Sequence, residues 1–99
     1  MGKLKYFKIT DKSPYFILEM YKIDKNVFSF IKITGNIKLD NIIIPEEIRP
    51  SVNKSVALHD TNSVNTVTLR FQTDGKVLIV NNEPINLPLC MNMIVWDTN

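Results

Sequence analysis

From Thr66 to Gln72 every second residue is apolar: Val67, Leu69 and Phe71 alternate with Thr66, Thr68, Arg70 and Gln72. Successive side chains of a strand point to opposite faces, so this stretch can only bury one side and wet the other as a β-strand. Asp74-Gly75 then supplies residues that tolerate positive φ, and Lys76-Val77-Leu78-Ile79-Val80 resumes the strand pattern. Together they predict a hairpin. Phe16, Leu18 and Met20 likewise share one face, with Tyr15, Ile17, Glu19 and Tyr21 on the other. Phe28, Phe30 and Ile33 mark a second strand running to Thr34-Gly35, and Ile37 and Leu39 continue past that glycine. The last segment sets Leu89, Met91, Met93 and Val95 against Cys90, Asn92, Ile94 and Trp96.

No window shows convincing apolar spacing at i, i+3, i+4 and i+7, while several alternate with period two, so helices are not expected. Breakers such as Asp11-Lys12-Ser13-Pro14, Asp24-Lys25-Asn26, Asp60-Thr61-Asn62-Ser63 and Asn81-Asn82-Glu83-Pro84 fall between the runs. The expected fold is all-β, an antiparallel β-sandwich of jelly-roll-like type. Pro45 and Pro50 each remove a ladder donor, which predicts an extended surface connection over 45–54. Residues 1–14 form an N-terminal arm or first strand, and residues 15–99 form the sandwich.

A chain of 99 residues has room for one domain and a small core. Ile42-Ile43-Ile44 and Val77 to Val80 are apolar on both faces, more than one core of this size needs. The surplus predicts burial between subunits.

Twelve Lys and Arg against ten Asp and Glu leave a charge of +2, too little for attraction to phosphate to organise function. Lys3, Lys5, Lys8 and Lys12 are read as a solvated strand face. Alternation places most of the rings of Tyr6, Phe7, Tyr15, Phe16 and Tyr21 in the core, which leaves a nucleic-acid-binding β-barrel as a minor alternative. The first residues alternate Lys with apolar side chains and form no signal-peptide core, and no run is long enough for a membrane span.

The single cysteine, Cys90, has no partner for an internal disulfide and sits in an apolar setting that suits a buried small hydrophobe. His59 and Asp60 are neighbours in sequence, so in a strand they point apart and form no dyad. One His with one distant Cys does not make a metal site. Glu46-Glu47 lies in a proline-bounded segment without an apolar pocket to raise a carboxyl pKa. Three glycines form no GxGxxG, GxxxxGK or GxSxG motif. Neither catalysis nor a cofactor or metal is expected.

Ile44-Pro45-Glu46-Glu47-Ile48-Arg49-Pro50 and the later Thr73-Asp74-Gly75-Lys76-Val77, with Lys32-Ile33-Thr34-Gly35 before them and an apolar strand closing at Trp96, form an ordered set. Over residues 31–96 this set resembles the C-terminal β-sandwich head domain of tail, baseplate and fibre proteins of phages and prophages of Gram-positive bacteria. The first stretch is similar to that family's Leu-Pro-x-Gly-Tyr-Arg-Pro turn and the second to its Thr-Asp-Gly-x-Val hairpin. Glu47 stands where the family usually has Gly, and Ile48 where it usually has an aromatic residue.

The resemblance implies a homotrimer in the virion tail, contacting other tail or baseplate proteins and binding bacterial cell-wall saccharide. The alternative is a trimerisation or adaptor module that binds no ligand. A saccharide site needs an aromatic face and amide, carboxylate or guanidinium groups for the hydroxyls. His59, Asp60, Asn62, Asn65, Arg70 and Trp96 supply that inventory and are the candidate ligand-binding residues. Pro45, Arg49, Pro50, Asp74 and Gly75 are assigned structural roles. The stem of Arg49 suits packing on apolar surface while its head caps backbone carbonyls or pairs with a carboxylate.

Overall fold

The computed structural model describes residues 3–10, 15–34, 36–37, 42–59, 66–80, 85–86 and 90–98. Along the chain run β1 (Leu4–Thr10), β2 (Phe16–Ile23), β3 (Asn26–Ile33), β4 (Asn36–Ile37), a 3-10 turn (Glu46–Ile48), β5 (Lys54–His59), β6 (Thr66–Phe71), β7 (Val77–Ile79), β8 (Ile85–Asn86) and β9 (Cys90–Asp97). All pairings are antiparallel. The larger sheet has the order β1-β2-β3-β9, the smaller β5-β6-β7, and β4 pairs with β8. Among the described residues there is no α-helix, and no helix long and apolar enough to cross a membrane.

The two main sheets share one core. Phe16, Leu18, Met20, Ile31 and Ile33 from the larger sheet meet Leu58, Leu69, Phe71 and Val77 from the smaller. Rings of Phe71 and Trp96 touch across the gap with centroids 5.1 Å apart, a packed aromatic contact between the sheets. At one edge Asn92 reaches from β9 to donate to the Ala57 carbonyl on β5 at 2.8 Å. The fold is thus an all-β sandwich. Val67, Leu69 and Phe71 face inward as their alternation requires, with Leu69 and Phe71 fully buried.

Three local expectations are corrected. In β3 the buried face is Val27, Ser29, Ile31 and Ile33, while Phe28 is half-buried and Phe30 exposed on the other side. Large rings marked the strand, but smaller β-branched residues fill its core face. Of the five N-terminal rings only Phe16 is fully buried; Tyr6 and Tyr15 are exposed and Phe7 and Tyr21 half-buried. Segment 45–54 is not a plain surface connection: it holds the 3-10 turn, buries Ile48 and Pro50, and gives way to β5 at Lys54. Residues 4–10 pair with β2 in full register, from Leu4 opposite Ile23 to Thr10 opposite Ile17.

Cβ-bearing residues rarely adopt positive φ. Asp24, at φ 54, does so in the tight β2–β3 connection, where Ile23 is directly opposite Asn26. Leu39 and Leu89 lie outside the described residues, as does the side chain of Cys90.

Candidate interaction surface and the turn that anchors it

Register fixes which side chains share the outer face of the larger sheet, because directly opposed residues point to the same side. One row across the strands is Tyr6, Tyr21, Phe28 and Val95; the next is Lys8, Glu19, Phe30 and Met93. Rows of Leu4, Ile23, Asn26 and Asp97 on one side, and Thr10, Ile17, Lys32 and Met91 on the other, complete the face. Seven of the large apolar side chains in this grid are exposed by between 41% and 68%, which is far from the usual wet side of a half-buried sheet.

The rings are arranged against one another. Tyr6 and Tyr21 have centroids 5.0 Å apart at a tilt of 47°, and Tyr21 meets Phe30 edge-on at 5.8 Å. Tyr6 donates its phenolic O–H to Glu19 Oε2 at 2.6 Å. That bond to the carboxylate, aided by desolvation and by the nearby negative charge, holds the Tyr6 phenol protonated and pushes its pKa up to about 12. Beside this cluster a shallow groove of about 420 Å³ runs between Glu19, Phe30, Lys32, Met91 and Met93.

The smaller sheet presents a different outer side. Arg70 lies between Ser55 and Leu78, and Ala57 opposes Thr68. Leu78 and Val80 are exposed there, but between polar neighbours. Ile43, paired with Lys76 in an isolated bridge, is exposed as well. The apolar surplus expected at Ile42–Ile44 and Val77–Val80 is therefore present, yet its larger share lies on β1, β2, β3 and β9.

At one end of the sandwich the 3-10 turn and the β6–β7 hairpin form one unit. Arg49 Nε donates to the Ile44 carbonyl at 2.9 Å, and the Ile44 N–H donates to the Gly75 carbonyl at 2.7 Å. Asp74 Oδ1 accepts the Lys76 N–H at 3.0 Å, closing the turn, and Gly75 takes φ 92. Trp96 donates its indole N–H to the Ile48 carbonyl at 2.8 Å, and Ser51 N–H reaches the Asp97 carbonyl, also at 2.8 Å. Glu47 is fastened to the first two strands: Lys5 Nζ lies 3.0 Å from its carboxylate and Lys22 Nζ 2.8 Å from its carbonyl. A cleft of about 460 Å³ opens beside this unit, lined by Lys22, Glu46, Glu47, Arg49, Thr73 and Thr98.

The structure describes the side chains of two of the candidate ligand residues, Arg70 on the outer side of β6 and Trp96 in the core. Trp96 is 1% exposed, stacked on Phe71 and bonded to Ile48, so its ring is a core element and offers no face to a sugar. Arg70 is exposed on the outer side of β6, four residues and about 13 Å along the strand from Thr66. His59 closes the β5 ladder opposite Thr66; its side chain, with Asp60, Asn62 and Asn65, lies outside the described residues. Among the described residues no three His, Cys, Asp or Glu side chains cluster as metal ligands.

The outer face of the larger sheet was missed as a site because its rings read as core. The signal that could have found it is the double-sided apolar character of β3 and β9, where Val27-Phe28, Phe30-Ile31 and Met93-Ile94-Val95 leave no polar side. No protein-family model matches this sequence, and no curated protein matches it.

Proposed function

We propose that this chain is a non-catalytic assembly and binding module: a multi-copy head of the phage or prophage tail-tip type, expected to be a homotrimer. In this reading it sits in the virion tail, contacts other tail or baseplate proteins and binds bacterial cell-surface saccharide. The supporting observation is that the two stretches carrying the resemblance, Ile44–Pro50 and Thr73–Val77, pack directly on each other through Arg49, Ile44 and Gly75. Two motifs that join as one structural unit argue better than either alone.

The saccharide part is tested by titrating purified Gram-positive cell walls with the chain. Saturable binding that weakens in Asp60→Ala and Asn62→Ala is the expected result. Absence of saturable binding to walls from several hosts would leave the adaptor module. That second reading is favoured by the burial of Trp96, which removes the one indole ring from the ligand inventory.

A further inference from the structure

We propose that the outer face of the β1-β2-β3-β9 sheet is a homotypic interface, its occupant a second copy of this chain. The inference deepens the reading above and rests on its multi-copy part alone, independent of any saccharide.

Area is the first argument. Four strands about 4.8 Å apart carrying four rows of side chains about 6.7 Å apart make a face of roughly 500 Å². Such a face against an equal area of a second copy removes roughly 1,000 Å² from water, where specific association begins. Apolar patches of a few hundred Å² are about the largest a typical monomer exposes, and they often mark function.

Charge selects the occupant. The face carries Lys8 and Lys32 against Glu19 and Asp97, two of each sign. A balanced face carries no net charge to repel a second copy, whereas a polyanion or an anionic membrane is drawn to a surface of one sign. Glu19 is already bonded to Tyr6, so the carboxylate nearest the middle enters the contact with a partner.

Composition agrees. Aromatic residues and Met are the enriched types at protein interfaces. Met91 and Met93, 68% and 52% exposed, flank the groove beside Phe30, and unbranched thioethers adapt to whatever a facing copy inserts. Among the described residues, the smaller sheet's outer side, with Arg70 and Ser55 around Leu78, has no comparable patch.

The experiment is solution mass by light scattering at micromolar concentration, with circular dichroism to verify folding. The unaltered chain should give a multiple of 11.4 kDa. Phe30→Glu and Met91→Glu should each reduce the mass to one copy, while Leu78→Glu on the other sheet leaves it unchanged. If Phe30→Glu fails to fold, Met91→Glu, at the most exposed of the face's large apolar side chains, decides the matter. A single-copy mass for the unaltered chain, or an assembly that survives a folded Met91→Glu, would overturn the proposal. Loss of cell-wall binding would not move this readout, so the two readings fail separately.

Discussion

Arg49 occupies the space into which a side chain at Gly75 would grow. A Cβ there would lie 2.5 Å from Arg49 Nε and 2.7 Å from the Ile44 carbonyl oxygen, and φ at Gly75 is +92°. Gly75→Ala therefore meets both a clash and a backbone conformation that L-residues rarely adopt. We predict a loss of about 2–3 kcal/mol, read as a lower urea midpoint with an unchanged slope. Arg49→Ala alone removes the hydrogen bond to the Ile44 carbonyl, but in the double variant one of the clashing groups is gone. The two losses should then sum to less than their separate values.

Ser29 is fully buried and its Oγ has no hydrogen-bond partner. It points inward from β3 between Met20 and Ile94 in neighbouring strands. Removing the hydroxyl relieves a desolvated donor and leaves the methyl that packing needs. Ser29→Ala should stabilise by about 1 kcal/mol, raising the thermal midpoint by about 4–8 °C in a chain of this size. A fall in the midpoint would show that the hydroxyl does have a partner.

The Tyr6 phenol, raised to about 12 by its bond to Glu19, should ionise late in an ultraviolet titration. Glu19→Gln should bring it back toward 10. The sign for stability follows from linkage: the folded pKa lies above the unfolded one, so the contribution is whole below about pH 10 and is lost as pH rises toward 12. Alkaline unfolding in that window should be shallower in Glu19→Gln.

Trp96 is the chain's one tryptophan, and its burial at 1% exposure predicts a blue-shifted emission that moves red on unfolding. Trp96→Phe keeps a ring against Phe71 but leaves the Ile48 carbonyl without its indole donor. Loss of that bond and of part of the ring volume should cost about 2–3 kcal/mol by chemical denaturation. Fluorescence cannot report on that variant, so circular dichroism is the measurement.

How far the sequence revealed all this varied with the contrast between neighbours. β6 was legible because threonines and an arginine separate Val67, Leu69 and Phe71, so only one face can be buried. β3 was not, since Val27-Phe28-Ser29-Phe30-Ile31 offers one polar residue and that residue, Ser29, faces the core. Burial there was decided by pairing with β2 and β9, which local pattern does not encode. Pro45 and Pro50 correctly excluded a central strand, yet could not show that Ile48 between them is drawn under Trp96. The interaction face was visible as excess apolar residues and invisible as a location, because location is set by strand order.

That order has a consequence for how the chain reaches its final state. β3 takes its second neighbour, β9, from the far end of the described chain, with Asn26 opposite Asp97 and Ile33 opposite Cys90. During synthesis the β1–β3 meander leaves the ribosome well before the strand that shields its open side. Such distant pairing places folding in the millisecond-to-second range, measurable by stopped-flow emission of Trp96. Until closure, the nascent protein carries an unshielded sheet margin, the period when a chaperone has most to protect.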